Sequence, residues 1–311
     1  YTHNVLVPGS SPGGPTNYCK IMNNIFSMVT LHESNSYTIE ALKSFFDNTI
    51  LSNEDDFYLI DNDDSIKNQF TKYNKLKVIK NKKKMTFSEN VNQAIDFAIK
   101  KKKNLIFLSN DIIFTKNWFK PIASENDCIS IPSNNQIFQY ESDLGILKLK
   151  QTMSLNDFNE NHDLLNDIVL EHKKKIKSGQ KFQTLLMPFF CFKIPWQILK
   201  DVGNFDCSFG IGGGEDVDYR IRSELKGYSV NYLTDSYLLH FHGKSTWEIE
   251  KKETTDERNN KYKEIFEKKW GKDLTKIFIL RKNFYQILEK SNLIEVYKNN
   301  NFSELINKII F

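Results

Sequence analysis

Four short apolar runs, spaced by stretches with helical periodicity, constrain this chain more than any other feature. Residues 25–31, 57–60, 76–79 and 105–108 each read as a strand apolar on both faces. After the first run, Ile39, Leu42, Phe45 and Phe46 recur at helical spacing. A weaker helix is expected after the second. Before the fourth, Val91, Ala94, Ile95, Ala98 and Ile99 form one apolar face of a helix over 87–99. This alternation calls for an α/β chain with a mostly parallel sheet sandwiched between helices in three layers. Ligands of such sheets sit at the carboxyl ends of the strands. The second run ends in Asp61, Asn62, Asp63 and Asp64, and the fourth in Ser109, Asn110 and Asp111. Two acidic strand ends on one edge predict a cation or ribose site.

A second feature is the segment Gly212, Gly213, Gly214, Glu215, Asp216, Val217 and Asp218. The glycines allow a tight turn, and Val217, Ile221 and Leu225 then recur every four residues as a buried helical face. Asp218 and Arg222 form an i,i+4 pair on another face. Gly227 caps the helix, and residues 229–233 read as a strand leading to His240 and His242. Glu215 and Asp216 thus stand at a helix N-terminus, where the backbone dipoles favour ionised carboxylates. Such a seat suits a general base; it also suits an N-cap aspartate after a glycine-rich loop.

Between these features, residues 118–122 begin a short helix, 128–131 form a strand and 133–150 a hairpin. Residues 151–181 read as a charged insertion with one helix. The run 185–194 is expected as a strand, with Pro195 opening a helix that carries Trp196 and Leu199. Residues 1–22, rich in Gly, Pro and Ser, read as an irregular arm. Residues 248–311 read as a charged helical extension with Tyr262, Ile265, Phe266 and Trp270 on one face. Its apolar end, 305–311, either packs on the core or touches a membrane surface.

Hydrophobic residues at 40% and charged residues at 26% of 311 argue against disorder. A net charge of +4 says little about partners, but the lysines cluster at 80–84, 100–103 and 173–177. They read as solvated helix ends and loops or, alternatively, as a nucleic-acid patch. Cys19, Cys128, Cys191 and Cys207 lack CxxC spacing, which suggests reduced thiols in a cytoplasmic protein.

The succession IFSMVTLHE, FYLIDNDDS, FSENVNQAI, LIFLSNDIIF and GGGEDVDYRIRSELKGYSVNYLTDSYLLHFHG resembles the family 2 glycosyltransferases of GT-A fold, over residues 24–247. The likeness is greatest to the bacterial rhamnosyl- and galactofuranosyl-type members. It implies a GT-A domain over 23–247, with 151–181 inserted. It places Thr30, Glu33, Asp61, Asn62 and Asn92 beside the nucleotide-sugar donor, with Asn110, Gly213 and Gly214 at the same site. The family's FxxGNNxG helix start is FSENVNQA here, where Asn92 is the surviving match. Its DXD element is Ser109-Asn110-Asp111, which makes Asp111 the metal ligand, joined by His240 or His242. Its catalytic carboxylate falls in Glu215-Asp216, with Asp216 the expected base. Phe190, Trp196 and Trp247 are candidates for an acceptor-stacking wall.

The implied activity is an inverting transfer from a UDP-, dTDP- or GDP-linked sugar to a hydroxyl of a glycan or lipid-linked acceptor, with Mn²⁺ or Mg²⁺. A hard cation with carboxylate ligands would neutralise the departing diphosphate. The acceptor hydroxyl needs a carboxylate base within hydrogen-bond reach. Two alternatives keep the fold: glycosylation of a modified base in nucleic acid, and a non-catalytic sugar-nucleotide or glycan-binding module.

Overall fold

The computed structural model describes residues 23–66, 70, 72–135, 153–175, 178–244, 252–281 and 283–311. The first half follows the alternation read from the sequence: β1 (Asn24–Thr30), α1 (Asn35–Asn48), β2 (Asp56–Asp61), β3 (Leu76–Lys80), α2 (Phe87–Lys101) and β4 (Asn104–Leu108). Every residue of β2 and β4 is buried, as a sheet covered on both sides requires. The helix over 87–99 starts where Thr86 and Glu89 form a reciprocal capping box and stops at Lys102 in the left-handed region. It buries Val91, Ala94, Ile95 and Ala98. On α1 the buried face is Thr38, Ala41, Leu42 and Phe45, so Ile39 lies 39% exposed rather than inside. The Phe45 ring meets Phe26, Phe57 and Phe114 edge-on at 4.8–5.2 Å. Such edge-on contacts each add about 0.5–1.5 kcal/mol beyond the area buried.

The second half carries β5 (Ile112–Phe114), α3 (Phe119–Ser124), β6 (Ile129–Asn134), α4 (Leu155–Glu160), α5 (Asp163–Lys175), β7 (Lys181–Phe182), β8 (Cys191–Ile194), α6 (Trp196–Val202), α7 (Glu215–Leu225) and β9 (Val230–His240). Helices α8 (Lys252–Leu274), α9 (Phe284–Lys290), α10 (Ile294–Lys298) and α11 (Phe302–Ile310) follow. The sheet runs β3-β2-β1-β4-β8-β6-β9-β5, with β7 beside β9. Strands β3, β2, β1 and β4 are mutually parallel, and β6 and β9 pair parallel beyond β8. The mixed α/β architecture with a largely parallel central sheet is the one the alternation calls for. β8 enters antiparallel to β4, pairing Leu105 with Ile194 and Leu108 with Cys191.

Three local expectations change. The insertion over 151–181 holds two helices, α4 and α5, rather than one. The helix expected after β2 lies largely outside the described residues; directly after β2, Asp61 Oδ1 and Oδ2 accept the N–H groups of Ser65 and Ile66 at 3.0 Å and hold a turn. The strand expected over 185–194 shortens to Cys191–Ile194. The carbonyls of Thr184 and Leu185 go instead to Arg220 Nη1, each at 2.9 Å. The strand expected over 229–233 runs on to His240, because β5 pairs its far end through Ile112 and His240. Residues 1–22, most of the 133–150 hairpin, Cys19 and Trp247 lie outside the described residues.

The carboxy-terminal helices form a second core with α7. Phe266, Leu274, Phe278, Leu305 and Ile306 pack around Ile221. The apolar end of the chain is thus mostly core packing, with Phe311 alone left 94% exposed. Asp218 Oδ1 accepts from Trp270 Nε1 at 2.8 Å and lies 2.7 Å from Lys269 Nζ, while its Oδ2 pairs with Arg222 Nε at 2.9 Å. Ser303 on α11 donates to Glu224, and the Arg220 guanidinium stacks 4.7 Å from the Phe302 ring.

Candidate active site

A cavity of about 510 Å³ opens where the β4–β5 turn, the N-terminus of α7 and the end of β9 converge. Its polar lining includes Asp111, Glu215, Asp216, His240, His242 and Lys244. Its apolar wall is Phe87, Pro188, Phe189, Phe190 and Ile211. The parallel strands place Asp111 here, just past the carboxyl end of β4. Glu215 and Asp216 arrive through the triple-glycine turn, in which Gly212, Gly213 and Gly214 all have positive φ.

Asp111 is 1% exposed. Its Oδ2 accepts the Lys244 N–H at 3.1 Å. Its Oδ1 makes no hydrogen bond among the described residues and lies 3.4 Å from His240 Nε2. Burial pushes this carboxyl up, but the facing His240 ring and the Lys244 N–H outweigh it and hold it below the usual range. His240 is fixed by stacking on Phe190, with ring centroids 4.6 Å apart and planes 14° apart. His242 sits at left-handed φ, its ring 5.6 Å from that of His240. A buried carboxylate oxygen without a hydrogen bond, next to an imidazole nitrogen, fits a divalent cation that completes its shell with phosphate and water. Of the two histidines, His240 is the one whose ring lies against Asp111.

The paired carboxylates are in a different electrostatic state. Burial, then the adjacent Asp216, pushes Glu215 up to about 7, against the Gly213 N–H and the Arg258 guanidinium. Burial likewise raises Asp216, opposed by the N–H groups of Val217 and Phe189 and by Arg220. Adjacent carboxylates held above their ordinary range can take a proton near neutrality, as a general base must.

The remaining sequence candidates divide. Phe190 lines the cavity with the carboxylates. Gly213 and Gly214 lie behind the turn, against Tyr262 and Phe209, while Gly212 faces the cavity. Thr30, Asn62 and Asn110 sit at the carboxyl edge but outside the cavity lining, and each makes internal bonds, although Asn110 Oδ1 is left without one. Thr30 Oγ1 bonds Thr38 Oγ1 at 2.7 Å. Asn110 Nδ2 donates to Ser34 Oγ at 2.7 Å and Thr38 Oγ1 at 2.8 Å. Asn62 Oδ1 accepts from Met85 N and Asn81 Nδ2. Asp61 holds the turn described above. Asn92 ties α2 to the chain before α7, bonding the Phe205 N–H at 2.7 Å and carbonyl at 2.9 Å. Glu33 is exposed on the turn after β1.

Trp196 corrects a sequence expectation. β8 runs away from the cavity, so Trp196 lies at the opposite edge of the sheet, where its backbone N–H donates to Asn104 Oδ1 at 3.0 Å. The same edge absorbs part of one lysine cluster: Lys101 and Lys103, together with Lys77, pair with Asp56. Sequence reasoning missed Phe87, Pro188, Phe189, Ile211 and Lys244. Phe87 opens the FSENVNQA element without having been expected at the site, the others carry no motif, and only the fold gathers them at one cavity.

No protein family matches the sequence, and no curated protein does either. Solved structures do match. Over 91% of this chain the structure is similar to GalNAc-T7, solved with UDP, GalNAc and Mn²⁺, with TM-score 0.56 and 14% identity. It is also similar to S. aureus TarS residues 1–349 in complex with UDP-GlcNAc, again over 91% of this chain, with TM-score 0.51 and 16% identity. The fold is that of the GT-A glycosyltransferases. The chain spans 55% of the GalNAc-T7 chain and 73% of the TarS chain.

Proposed function

We propose that this chain is an inverting, metal-dependent glycosyltransferase of the family 2 type. It would move a hexosyl or deoxyhexosyl group from a nucleotide sugar to a hydroxyl of a glycan or lipid-linked acceptor. The observation that carries the reading is that Asp111 and Asp216 line one cavity, brought there by different elements, the turn after β4 and the start of α7. That a UDP-linked sugar is the donor is supported by the ligands of both structural neighbours.

In this reading Asp111, with His240, holds Mn²⁺ or Mg²⁺, which when bound supplies positive charge for the departing diphosphate. The apolar wall of Phe87, Phe189 and Phe190 excludes water and offers ring faces to a sugar. Asp216, less deeply covered than Glu215, takes the proton from the acceptor hydroxyl as the new glycosidic bond forms at the anomeric carbon. Attack from the face opposite the leaving group inverts that centre. Glu215, bonded to the Gly213 N–H, keeps the turn in place and its charge discourages a second ionisation beside the base. The catalytic domain comprises residues 23–247. Helix α5 belongs to an insertion within it, and the site of action is cytoplasmic.

Asp216→Asn tests the reading. The variant should keep metal-dependent nucleotide binding and lose turnover of the nucleotide sugar. Binding without turnover in the unaltered chain, across UDP-, dTDP- and GDP-sugars, would favour a sugar-nucleotide-binding module instead.

A further inference from the structure

The triple-glycine turn is tied from within by the bond from the Gly213 N–H to the Glu215 carboxylate. No side chain caps the N-terminus of α7, whose N-cap, Gly214, sits at φ 83°. What lies against the turn is α8. The Tyr262 ring packs so closely on Gly213 that a Cβ added there would stand 2.5 Å from its Cδ1 and 2.7 Å from its Cε1. At Gly214 an added Cβ would meet the same ring at 3.3 Å and Phe209 at 3.1 Å. These distances lie below van der Waals contact, so the glycines serve close approach as well as positive φ. One helical turn before Tyr262, Arg258 is 7% exposed, and its positive charge acts on Glu215. Further along α8, Lys269 and Trp270 grip Asp218. Helix α8 therefore contacts the carboxylate-bearing segment at its turn and at its first helical residues.

We propose that Tyr262 is a positioning residue: its ring is the backstop that keeps the Gly212–Gly214 turn, and with it Glu215 and Asp216, facing the cavity. This makes the carboxy-terminal helices a working part of the site rather than an appendage. The inference rests on the glycosyltransferase reading for its kinetic consequence, but its structural consequence stands apart from any activity. With the ring gone, the turn relaxes and water reaches Glu215. The groups that face Glu215 are Asp216 and the Gly213 N–H on its own segment, and Arg258 and Tyr262 on α8. Tyr262→Leu removes the aromatic face and the hydroxyl from this set, and Tyr262→Phe removes the hydroxyl alone.

The test compares Tyr262→Leu and Tyr262→Phe with the unaltered chain by two readouts. The first is the carboxyl ¹³C titration of Glu215 in metal-free protein, assigned by its absence from Glu215→Gln. The second is the split of kcat from donor KM. In Tyr262→Leu the Glu215 midpoint should fall from near 7 toward the ordinary glutamate range, and kcat should drop at least tenfold with donor KM within twofold. Tyr262→Phe, which keeps the ring, should restore both. A Glu215 midpoint unmoved in folded Tyr262→Leu would overturn the proposal, even if melting temperature and kcat fell. So would a Tyr262→Phe protein as impaired as Tyr262→Leu, because the hydroxyl and not the ring would then be at work. If the unaltered chain transfers no sugar, the glycosyltransferase reading fails while the titration still decides the role of Tyr262.

Discussion

Asp61 and Glu215 are both buried carboxylates near the same edge of the sheet, yet they are built for different purposes. Each oxygen of Asp61 accepts a backbone N–H from the turn it holds, so its charge is fully solvated by the protein. Glu215 has one backbone donor, an acidic neighbour and a titration pushed up to about 7. The contrast extends to their surroundings. Around β1, β2 and α2, the polar residues Thr30, Asn62 and Asn92 spend their hydrogen bonds on neighbouring elements. Around α7 and β9, Asp111 keeps an oxygen without a hydrogen bond and the paired acids keep an unfavourable charge. Polar groups whose bonds are complete are scaffold, and those left short are where a ligand would contribute.

The largest effect that would sharpen this contrast is on turnover. Asp216→Asn should lower kcat by about 10²–10⁴, the range expected for losing a general base. Activity of the unaltered chain should rise with pH as the acidic pair deprotonates. A variant with near-native kcat would remove Asp216 from the role.

The next effect is on stability. Because the folded-state titration of Glu215 lies above the ordinary glutamate value, the folded protein binds the extra proton between about pH 4.5 and 7. The metal-free protein should therefore lose stability as pH rises through that window, by up to about 3 kcal/mol from this group. Asp216, also raised, adds in the same sense. Glu215→Gln should flatten the slope and be the more stable protein at pH 8, with no advantage at pH 4. Urea unfolding at several pH values reads this directly. An unchanged slope would contradict the contrast.

Smaller still are the scaffold effects. Asp61→Ala strands two backbone donors and should cost about 2 kcal/mol, while donor KM stays within twofold. Asn92→Ala breaks two bonds to Phe205 and should cost about 1 kcal/mol. A large rise in donor KM with either variant would return that residue to the donor site.

Much of the first half was legible because its signals are local. Apolar runs fix β1, β2 and β4, and the helical spacing from Val91 to Ile99 fixes α2, with little outside help; β3, read as buried on both faces, lies at the sheet edge with Val78 43% exposed. The acidic pair at the start of α7 was legible too, since three glycines followed by two carboxylates have few uses. What escaped was set by partners distant in sequence. Residues 185–190 looked like a strand, but Arg220 draws the Thr184 and Leu185 carbonyls aside. Trp196 looked like a sugar platform because periodicity does not give strand direction; the antiparallel run of β8 carries it to the far edge. Tyr262 looked like one member of an apolar face, and its contact with Gly213 spans 49 residues of chain.

The central claim is that Asp111 and Asp216 serve one cavity from two sides, one holding a cation and the other a proton. Thermal unfolding with UDP, with and without Mn²⁺, tests it in the unaltered chain, Asp111→Asn and Asp216→Asn. The account predicts a metal-dependent rise in melting temperature for the unaltered chain and for Asp216→Asn, and none for Asp111→Asn. An undiminished rise in Asp111→Asn would contradict it.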